Sequence, residues 1–586
     1  MKSGRWAALG GLIGSAALIL AACGGGGGTS ANLAPLQKAN ELVSALPPQV
    51  GITDFAPIAS GSAYTIYNSQ VEYMLWAPVV MVSGKDTIDW ADSLAKSITP
   101  NANDSQYTVQ LNSWNWSNGQ PITAQDVAYT ANVLIQACTM SKAPYSYGGC
   151  GFGGLPPSSA HSVLLSATAT GPNTVVFKLN GPSNPTWFEL NGLGQIQPMP
   201  KSIWGANGNI TDTLTMLSKV YNDPTNAAYK VVSGPYLFKN FVNNQYWSFV
   251  PNPKYGGHKA SINVTLQYET SESSEFAALK TNKINAGYLT PTNYGAAGQL
   301  KKGFTQSYSE GFCWYGVMLN SASNALDVGP AFQDTKVRQA LQLGVDENAV
   351  GKVLDGTLNG KNLWIPTYSA IPLGFPQLTQ AVFGVSEIPS QYQFNIAKGK
   401  ALLESDGYKL NSQGVMQKGN ITLSFPMNID SGSQSAANAA LVMQQDWKQE
   451  GINVTINPVA FDTLVAVSNQ TPGESSKWAM NDTGGWCYEP NFYPTGGGMW
   501  GYYNGQDSFN NAAFNKAVNN EYLPGTAAQA QQNMLAYAKA TATDLPFLWM
   551  PGGYAVNETA PYINGIDAAF NPVQAFTQWN YVTISQ

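Results

Sequence analysis

The chain of 586 residues contains only two histidines, His161 and His258, and five cysteines. Neither histidine has a second histidine or a cysteine near it at the spacing of a metal site. No Gly-x-Ser-x-Gly segment accompanies them, so the usual sequence signature of a serine hydrolase is missing too. These absences argue against a metalloprotein and against a hydrolase. We therefore expect no bound metal, no cofactor and no catalytic residues.

Charge is also scarce. Charged side chains make up 11% of the chain, whereas about a quarter is usual in soluble domains. The net charge is −6, and no run of Lys or Arg offers a basic surface. Nucleic acid is therefore not an expected partner. Hydrophobic residues account for 44% of the chain, which is typical of a folded, globular protein.

The N-terminus has the order of an export signal. Lys2 and Arg5 precede an apolar run from Trp6 to Leu20, which is too short and glycine-rich to favour a permanent membrane span. Leu20-Ala21-Ala22-Cys23 resembles the bacterial lipobox, in which the cysteine receives lipid. We predict a signal peptide over residues 1–22 and a lipidated flexible tether over 23–35, which would anchor the protein outside the cytoplasm. The alternative is a plain secretory signal, with Cys23 incidental.

Removal of Cys23 from the count leaves four cysteines, an even number that suits an oxidising compartment. Cys138 and Cys150 are close in sequence, whereas Cys313 and Cys487 are far apart. Three pairings of these four residues are possible, and their spacing alone does not choose among them.

About 560 residues follow the signal segment, which is more than one hydrophobic core usually holds. The local secondary structure is clearest around residues 118–126. A strand ends at the turn Asn118-Gly119, and Thr123 with Asp126 forms the capping box of a helix. In the C-terminal third we predict helices over 436–450, 511–522 and 527–543, with Gly451 ending the first. The strand that follows should stop at Pro458 or lie at a sheet edge.

The segment from Trp116 to Val127 resembles the signature of the family 5 solute-binding proteins, the receptors of ABC importers for peptides, nickel and oligosaccharides. Asn118 stands where the family usually has Asp, and a turn accepts either residue. Further segments resemble other family motifs in the same order, namely 233–236, 252–257, 277–285, 332–346 and 397–408.

The resemblance implies an α/β, two-lobed periplasmic-binding-protein-like fold with mixed sheets, a hinge and a ligand cleft between the lobes. Lobe one would comprise residues 36–312 with a C-terminal return over 550–586. Lobe two would comprise residues 313–549.

The resemblance also implies a binding site. Phe312 to Tyr315 and Trp486 to Glu489 are similar to the cysteine-bearing segments of oligopeptide-binding family members, in which the two cysteines are joined. A bond between Cys313 and Cys487 would leave Cys138 to pair with Cys150. Glu489 stands at the position of an aspartate that takes the ammonium of a bound peptide. The implied ligand-binding residues are Glu489, Trp486, Cys487, Tyr488, Gly485, Trp314 and Tyr315.

The function implied is that of a substrate-binding lipoprotein of an ABC importer. It would capture oligopeptides by hinge closure and deliver them to the permease subunits, acting as a monomer held to the membrane by its N-terminal lipid. One alternative is an oligosaccharide receptor of the same family, because aromatic and amide side chains with little charge also suit sugars. Another is a sensory or structural lipoprotein with no transport role.

Overall fold

Two main β-sheets, one of seven strands and one of six, divide the molecule into two lobes, and the largest hydrophobic core contains residues of both sheets. The computed structural model describes residues 34–63, 65–140, 142–157, 161–206, 208–300, 303–309, 311, 313–371, 393–468, 475–482, 486–487 and 509–586. In those ranges, no helix is both long enough and apolar enough to cross a membrane. The predicted signal peptide, Cys23 and most of the tether lie outside the described residues.

Lobe one contains a seven-stranded mixed sheet. Its strands, in spatial order, are Thr305–Ser309, Ala555–Thr559, Ala286–Leu289, Glu41–Pro48, Asn263–Glu269, Tyr246–Pro251 and Tyr236–Val242. The strand Glu41–Pro48 runs parallel to both of its neighbours and buries Leu42 and Leu46. Because this strand is the fourth of seven, the first residues of the folded chain lie at the centre of the lobe.

A four-stranded antiparallel sheet extends lobe one, with the strands Ala95–Pro100, Gln106–Leu111, Thr174–Leu179 and Leu164–Gly171 in that order. The helix Ala124–Thr139 packs against it. The capping box predicted for this helix is confirmed, since Thr123 and Asp126 exchange side-chain and backbone hydrogen bonds. At the other end of the helix Cys138 is bonded to Cys150, with the two sulfur atoms 2.07 Å apart.

Lobe two is organised around the strand Cys313–Leu319. The strands that pair with it are Met480–Asn481, Trp486–Cys487 and Phe547–Met550, and Ser424–Asp430 and Asn453–Val459 continue the sheet beyond Met480–Asn481. Asn453–Val459, which contains Pro458, is the edge strand, as predicted. The helix Gln434–Glu450 ends at Gly451, whose left-handed backbone (φ 89°) suits a residue without a side chain.

The remaining helices of eight residues or more in the described ranges are Ile66–Leu75, Ile210–Val220, Glu272–Lys280, Thr335–Leu343, Glu347–Leu354, Ile396–Ser405, Phe461–Ser468, Ala512–Asn520 and Ala527–Asp544. Short two- and three-stranded pairings complete the structure, over residues 81–89, 357–362, 409–422, 563–584 and 570–577.

Within the described residues, the chain passes between the two sheets at two places. It leaves the sheet of lobe one after Ser309 and enters that of lobe two at Cys313. It leaves lobe two after Phe547–Met550 and rejoins lobe one with Ala555–Thr559. Between these two strands, Gly552–Gly553 pairs with Trp364–Ile365. The expectation of a two-lobed α/β fold with mixed sheets is confirmed.

Candidate functional site

Two adjoining cavities, of about 470 and 320 Å³, lie between the lobes. Both cavities are lined from lobe one by Tyr67 and Tyr288, and from lobe two by Tyr315 and Asp355. Tyr67 also makes an edge-to-face contact with Phe461 of lobe two, with the ring centroids 6.0 Å apart. The walls therefore combine aromatic surface from both lobes with carboxylates.

In the strand Cys313–Leu319, the neighbouring aromatics Trp314 and Tyr315 point in opposite directions, and only one of them faces the cavities. Successive side chains of a strand point to opposite faces of its sheet. Tyr315 lines both cavities, whereas Trp314 is only 2% exposed. The Trp314 ring packs against Phe547 and Trp549, at centroid distances of 5.0 and 5.3 Å. The structure therefore places Tyr315 on the cleft wall and packs Trp314 into the core, while the ligand-binding role expected of the two residues stays a prediction.

The other predicted site residues are described only in part. Gly485, Tyr488 and Glu489 lie outside the described residues. Trp486 and Cys487 are described through their backbone, which pairs with Trp314 and Cys313 in an antiparallel ladder. Cys313 lies directly opposite Cys487 in that ladder, lines the larger cavity and is disulfide-bonded.

Glu272 connects the two lobes across the smaller cavity. It is the first residue of the helix Glu272–Lys280, and its side chain is buried. Within lobe one its carboxylate accepts hydrogen bonds from the Thr290 hydroxyl (3.1 Å) and the Thr292 hydroxyl (2.9 Å). From lobe two it accepts one from the Ser433 hydroxyl (3.0 Å) and a longer one from the Ser435 amide (3.4 Å). These lobe-two donors belong to the N-terminus of Gln434–Glu450, where a negative charge is stabilised.

A second contact between the lobes lies beside this one. The Ser431 hydroxyl of lobe two donates to the Gln49 side chain of lobe one over 3.1 Å. Asp430 lines the cavity at the same turn, and burial, together with the charges of Glu272 and Asp462, raises its pKa to about 6. These interactions exist only while the lobes are together.

Asp355 shows the opposite arrangement from Glu272. It follows the helix Glu347–Leu354 and is partly buried between the lobes, where burial raises its pKa to about 8. No described residue donates a hydrogen bond to its carboxylate or forms an ion pair with it. Sequence reasoning identified neither Asp355 nor Glu272. The only signal was that each acid lies at a helix terminus. An acid is common at the N-terminal end of a helix, where Glu272 lies, but not at the C-terminal end, where Asp355 lies.

Among the described residues, no three His, Cys, Asp or Glu side chains come together in a group that could hold a metal ion. His161 lies away from the cleft, with its ring nitrogens hydrogen-bonded to the carbonyls of Gly151 and Ser162. The described walls of the cleft present aromatic faces, hydroxyls and carboxylates to a ligand.

The sequence profile of the bacterial extracellular solute-binding proteins, family 5 (middle), matches residues 90–509. The chain belongs to family 5 of the bacterial extracellular solute-binding proteins. This assignment confirms the family predicted from the motifs and agrees with the expected role of an extracytoplasmic binding protein.

Two relatives align with more than two thirds of this chain. It is 26% identical to the oligopeptide-binding protein AppA of Bacillus subtilis over 411 residues, which cover 69% of this chain and 67% of AppA. It is 24% identical to the oligopeptide-binding protein OppA of Lactococcus lactis subsp. cremoris over 466 residues, 74% of this chain and 73% of OppA.

Solved structures of other proteins share the fold of this family 5 protein. Bacillus subtilis AppA in complex with a nonapeptide aligns with a TM-score of 0.73 at 21% identity, covering 93% of this chain and 99% of AppA. NikZ of Campylobacter jejuni in complex with Ni(L-His) aligns with a TM-score of 0.69 at 17% identity, covering 93% and 99% of the two chains. Proteins that bind different ligands thus share this two-lobed architecture, so the ligand must be argued from the site itself.

Proposed function

We propose that this family 5 protein is the substrate-binding lipoprotein of an ABC importer, which captures oligopeptides between its lobes and delivers them to the permease. The observation that carries the proposal is the shared cleft, whose two cavities take their walls from both lobes. A ligand that touches both walls stabilises the closed arrangement, because only that arrangement makes all its contacts.

The choice of peptides rests on two kinds of support. The relatives with the matches described above are named oligopeptide-binding proteins, and one neighbouring structure holds a nonapeptide. The cavities, of about 470 and 320 Å³, adjoin one another and are large enough for an extended chain of several residues. The oligosaccharide alternative finds no comparable support among these relatives.

The remaining site residues predicted from the family resemblance stay part of this proposal. Glu489 would bind the ammonium of the peptide, beside Gly485, Trp486 and Tyr488. Cys313 would be joined to Cys487, which the backbone register between them favours. Cys23 would carry the lipid that holds the receptor near its permease, so Cys23→Ala should abolish acyl labelling of the protein in cells.

Calorimetry on the purified mature protein tests the function. We expect binding of short peptides, no binding of a neutral oligosaccharide, and no turnover of either one. Small-angle scattering should show a smaller radius of gyration with peptide, as the lobes close. Sugar binding without peptide binding would overturn the proposal, and so would reproducible hydrolysis of the peptide.

A further inference from the structure

Asp355 lies where the two cavities adjoin and where the chain crosses between the lobes. It caps the C-terminal end of the helix Glu347–Leu354 and lines both cavities. Its carboxylate lies directly against the backbone of Gly553, since a Cβ atom at that glycine would come within 2.0 Å of Oδ1. The glycine thus leaves the space that the carboxylate occupies.

The surroundings of Asp355 lack any positive charge that could balance a carboxylate. No Lys, Arg or His occurs among the described residues that line either cavity. The acidic side chains that line them together with Asp355 are Glu272, Asp430, Asp482 and Asp567. Carboxylates withdrawn from water are normally paired or hydrogen-bonded, because an isolated buried charge is costly. Asp355, which is only partly buried, has no donor among the described residues, whereas Glu272 nearby has four.

The helix adds to the negative potential at this point. Its unsatisfied carbonyls give the C-terminal end a partial negative charge, which disfavours an acid and favours a cation. A side chain chosen for stability at this position would be neutral or basic. An acid here, open to a cavity, suits a cation that arrives with the ligand.

We propose that Asp355 binds a positively charged group of the ligand, an ammonium or a guanidinium, and that the cleft thereby selects ligands that carry a cation. The inference rests on the proposed function in one respect, that the ligand is taken to be a peptide. The cation would then be a Lys or Arg side chain or, in place of the pairing proposed for Glu489, the N-terminal ammonium, and the experiment below separates these sources.

Binding of a cation at Asp355 should displace a proton. Burial raises the pKa of this carboxyl to about 8, so most molecules without ligand hold a proton there at pH 7. Asp430 has its pKa raised to about 6, so it is mostly ionised at that pH. The pKa values of the neighbouring Tyr67, Tyr288 and Tyr294 are raised above the ordinary tyrosine value, so these side chains stay neutral. Affinity for a permanent cation should therefore rise from pH 6 to pH 8, with release of a proton.

The test compares pentapeptides that share one sequence and a free C-terminus. The first is N-acetylated with a central lysine, the second is N-acetylated with norleucine in its place, and the third has norleucine and a free N-terminus. We expect the first or the third to bind about 10–100-fold more tightly than the second, which has no cation. A gain for the first identifies a side-chain cation as the partner, and a gain for the third identifies the N-terminal ammonium.

Two variants assign the effect to Asp355, and a third serves as control. Asp355→Asn keeps the size of the side chain and should abolish the difference between the peptides. Gly553→Ala should reduce it, because the added methyl group would occupy the place of the carboxylate. Glu404→Gln should leave it intact, since that carboxylate is exposed and lines neither cavity. Calorimetry in buffers of different ionisation enthalpy should detect proton release in the wild type with whichever of the two cationic peptides shows the gain, and none in Asp355→Asn.

Equal binding of the three peptides, or a difference that survives Asp355→Asn with its pH dependence, would overturn this inference and leave the proposed function standing. If no peptide binds, 1,5-diaminopentane and 1,5-pentanediol serve as probes in thermal-shift assays. Stabilisation of the wild type by the diamine alone, lost in Asp355→Asn, would support the cation site and overturn the peptide proposal. No stabilisation by the diamine would overturn both.

Discussion

Glu272 and Asp355 are two carboxylates on the wall of one cavity, yet they stand in opposite situations. Glu272 is fully hydrogen-bonded, and two of its four donors come from the other lobe. Asp355 has no donor among the described residues, although it too lies between the lobes. The first carboxylate takes donors from both lobes once they meet, whereas the second finds none among the described residues and faces the open cavity. One cleft thus separates the stabilisation of closure from the recognition of the ligand.

The largest effect expected concerns the wall that carries Tyr315. If Cys313 and Cys487 are joined, the double variant Cys313→Ser/Cys487→Ser should lose about 5 kcal/mol of unfolding free energy, because the bond closes a long loop. Cys138→Ser/Cys150→Ser should lose less, about 3 kcal/mol, since its loop is short. Denaturant unfolding and non-reduced peptide mapping measure both effects. A mapped Cys138–Cys313 bond would contradict the pairing.

Glu272→Ala should have the next largest effect. It removes the acceptor of two donors of lobe two, so the closed state loses stability relative to the open one and peptide affinity should fall about 10–100-fold. Scattering should show a larger fraction of open molecules at the same peptide concentration. The matched control is Thr292→Val, which removes a donor of lobe one and keeps both bonds across the cleft. Equal losses in the two variants would mean that Glu272 supports only its own lobe.

Glu450→Gln tests whether a missing partner alone is enough to make a binding site. Glu450 is fully buried, no described residue donates to its carboxylate, and burial raises its pKa to about 9, but it lines neither cavity. A raised pKa in the folded state means that stability is lost as pH rises from about 4.5 towards 9, because the unfolded chain releases its proton first.

The unfolding free energy of the glutamine variant should therefore exceed that of the wild type by about 1–2 kcal/mol between pH 5 and pH 8, as measured by urea unfolding. Its peptide affinity should not change. Weakened peptide binding would show that Glu450 affects the cleft. Lining a cavity would then no longer distinguish Asp355 from a buried acid without a donor.

Gln49→Ala should have the smallest effect. It removes the acceptor of the Ser431 hydroxyl, an exposed hydrogen bond across the lobes. Peptide affinity should fall about two- to threefold, as expected for one neutral hydrogen bond near water. Calorimetry alongside Glu272→Ala would show that the buried carboxylate dominates closure. A loss of affinity as large as that of Glu272→Ala would show that the buried carboxylate does not dominate closure.

Much of the fold could be predicted from the sequence because its signals are local. The capping box at Thr123, the helix end at Gly451 and the edge position of Pro458 each depend on neighbours within a few residues. The motif order supplied the family, and with it the two lobes.

The site was harder to predict because its residues meet only in three dimensions. Glu272 and Ser433 are 161 positions apart, and nothing in either local pattern refers to the other. Trp314 and Tyr315 lie in a strand that is apolar on both faces, so alternation could not say which side chain faced the cleft. Asp355 could be recognised only once the absence of a partner was visible around it.

The strand Ala555–Thr559 lies between Thr305–Ser309 and Ala286–Leu289 in the sheet of lobe one. The two strands on either side of it come some 250 residues earlier in the chain, and they do not pair with each other. Lobe one therefore keeps two strand edges open until Ala555–Thr559 is in place. A chain that stops before this strand could not complete the seven-stranded sheet, however well its earlier segments fold.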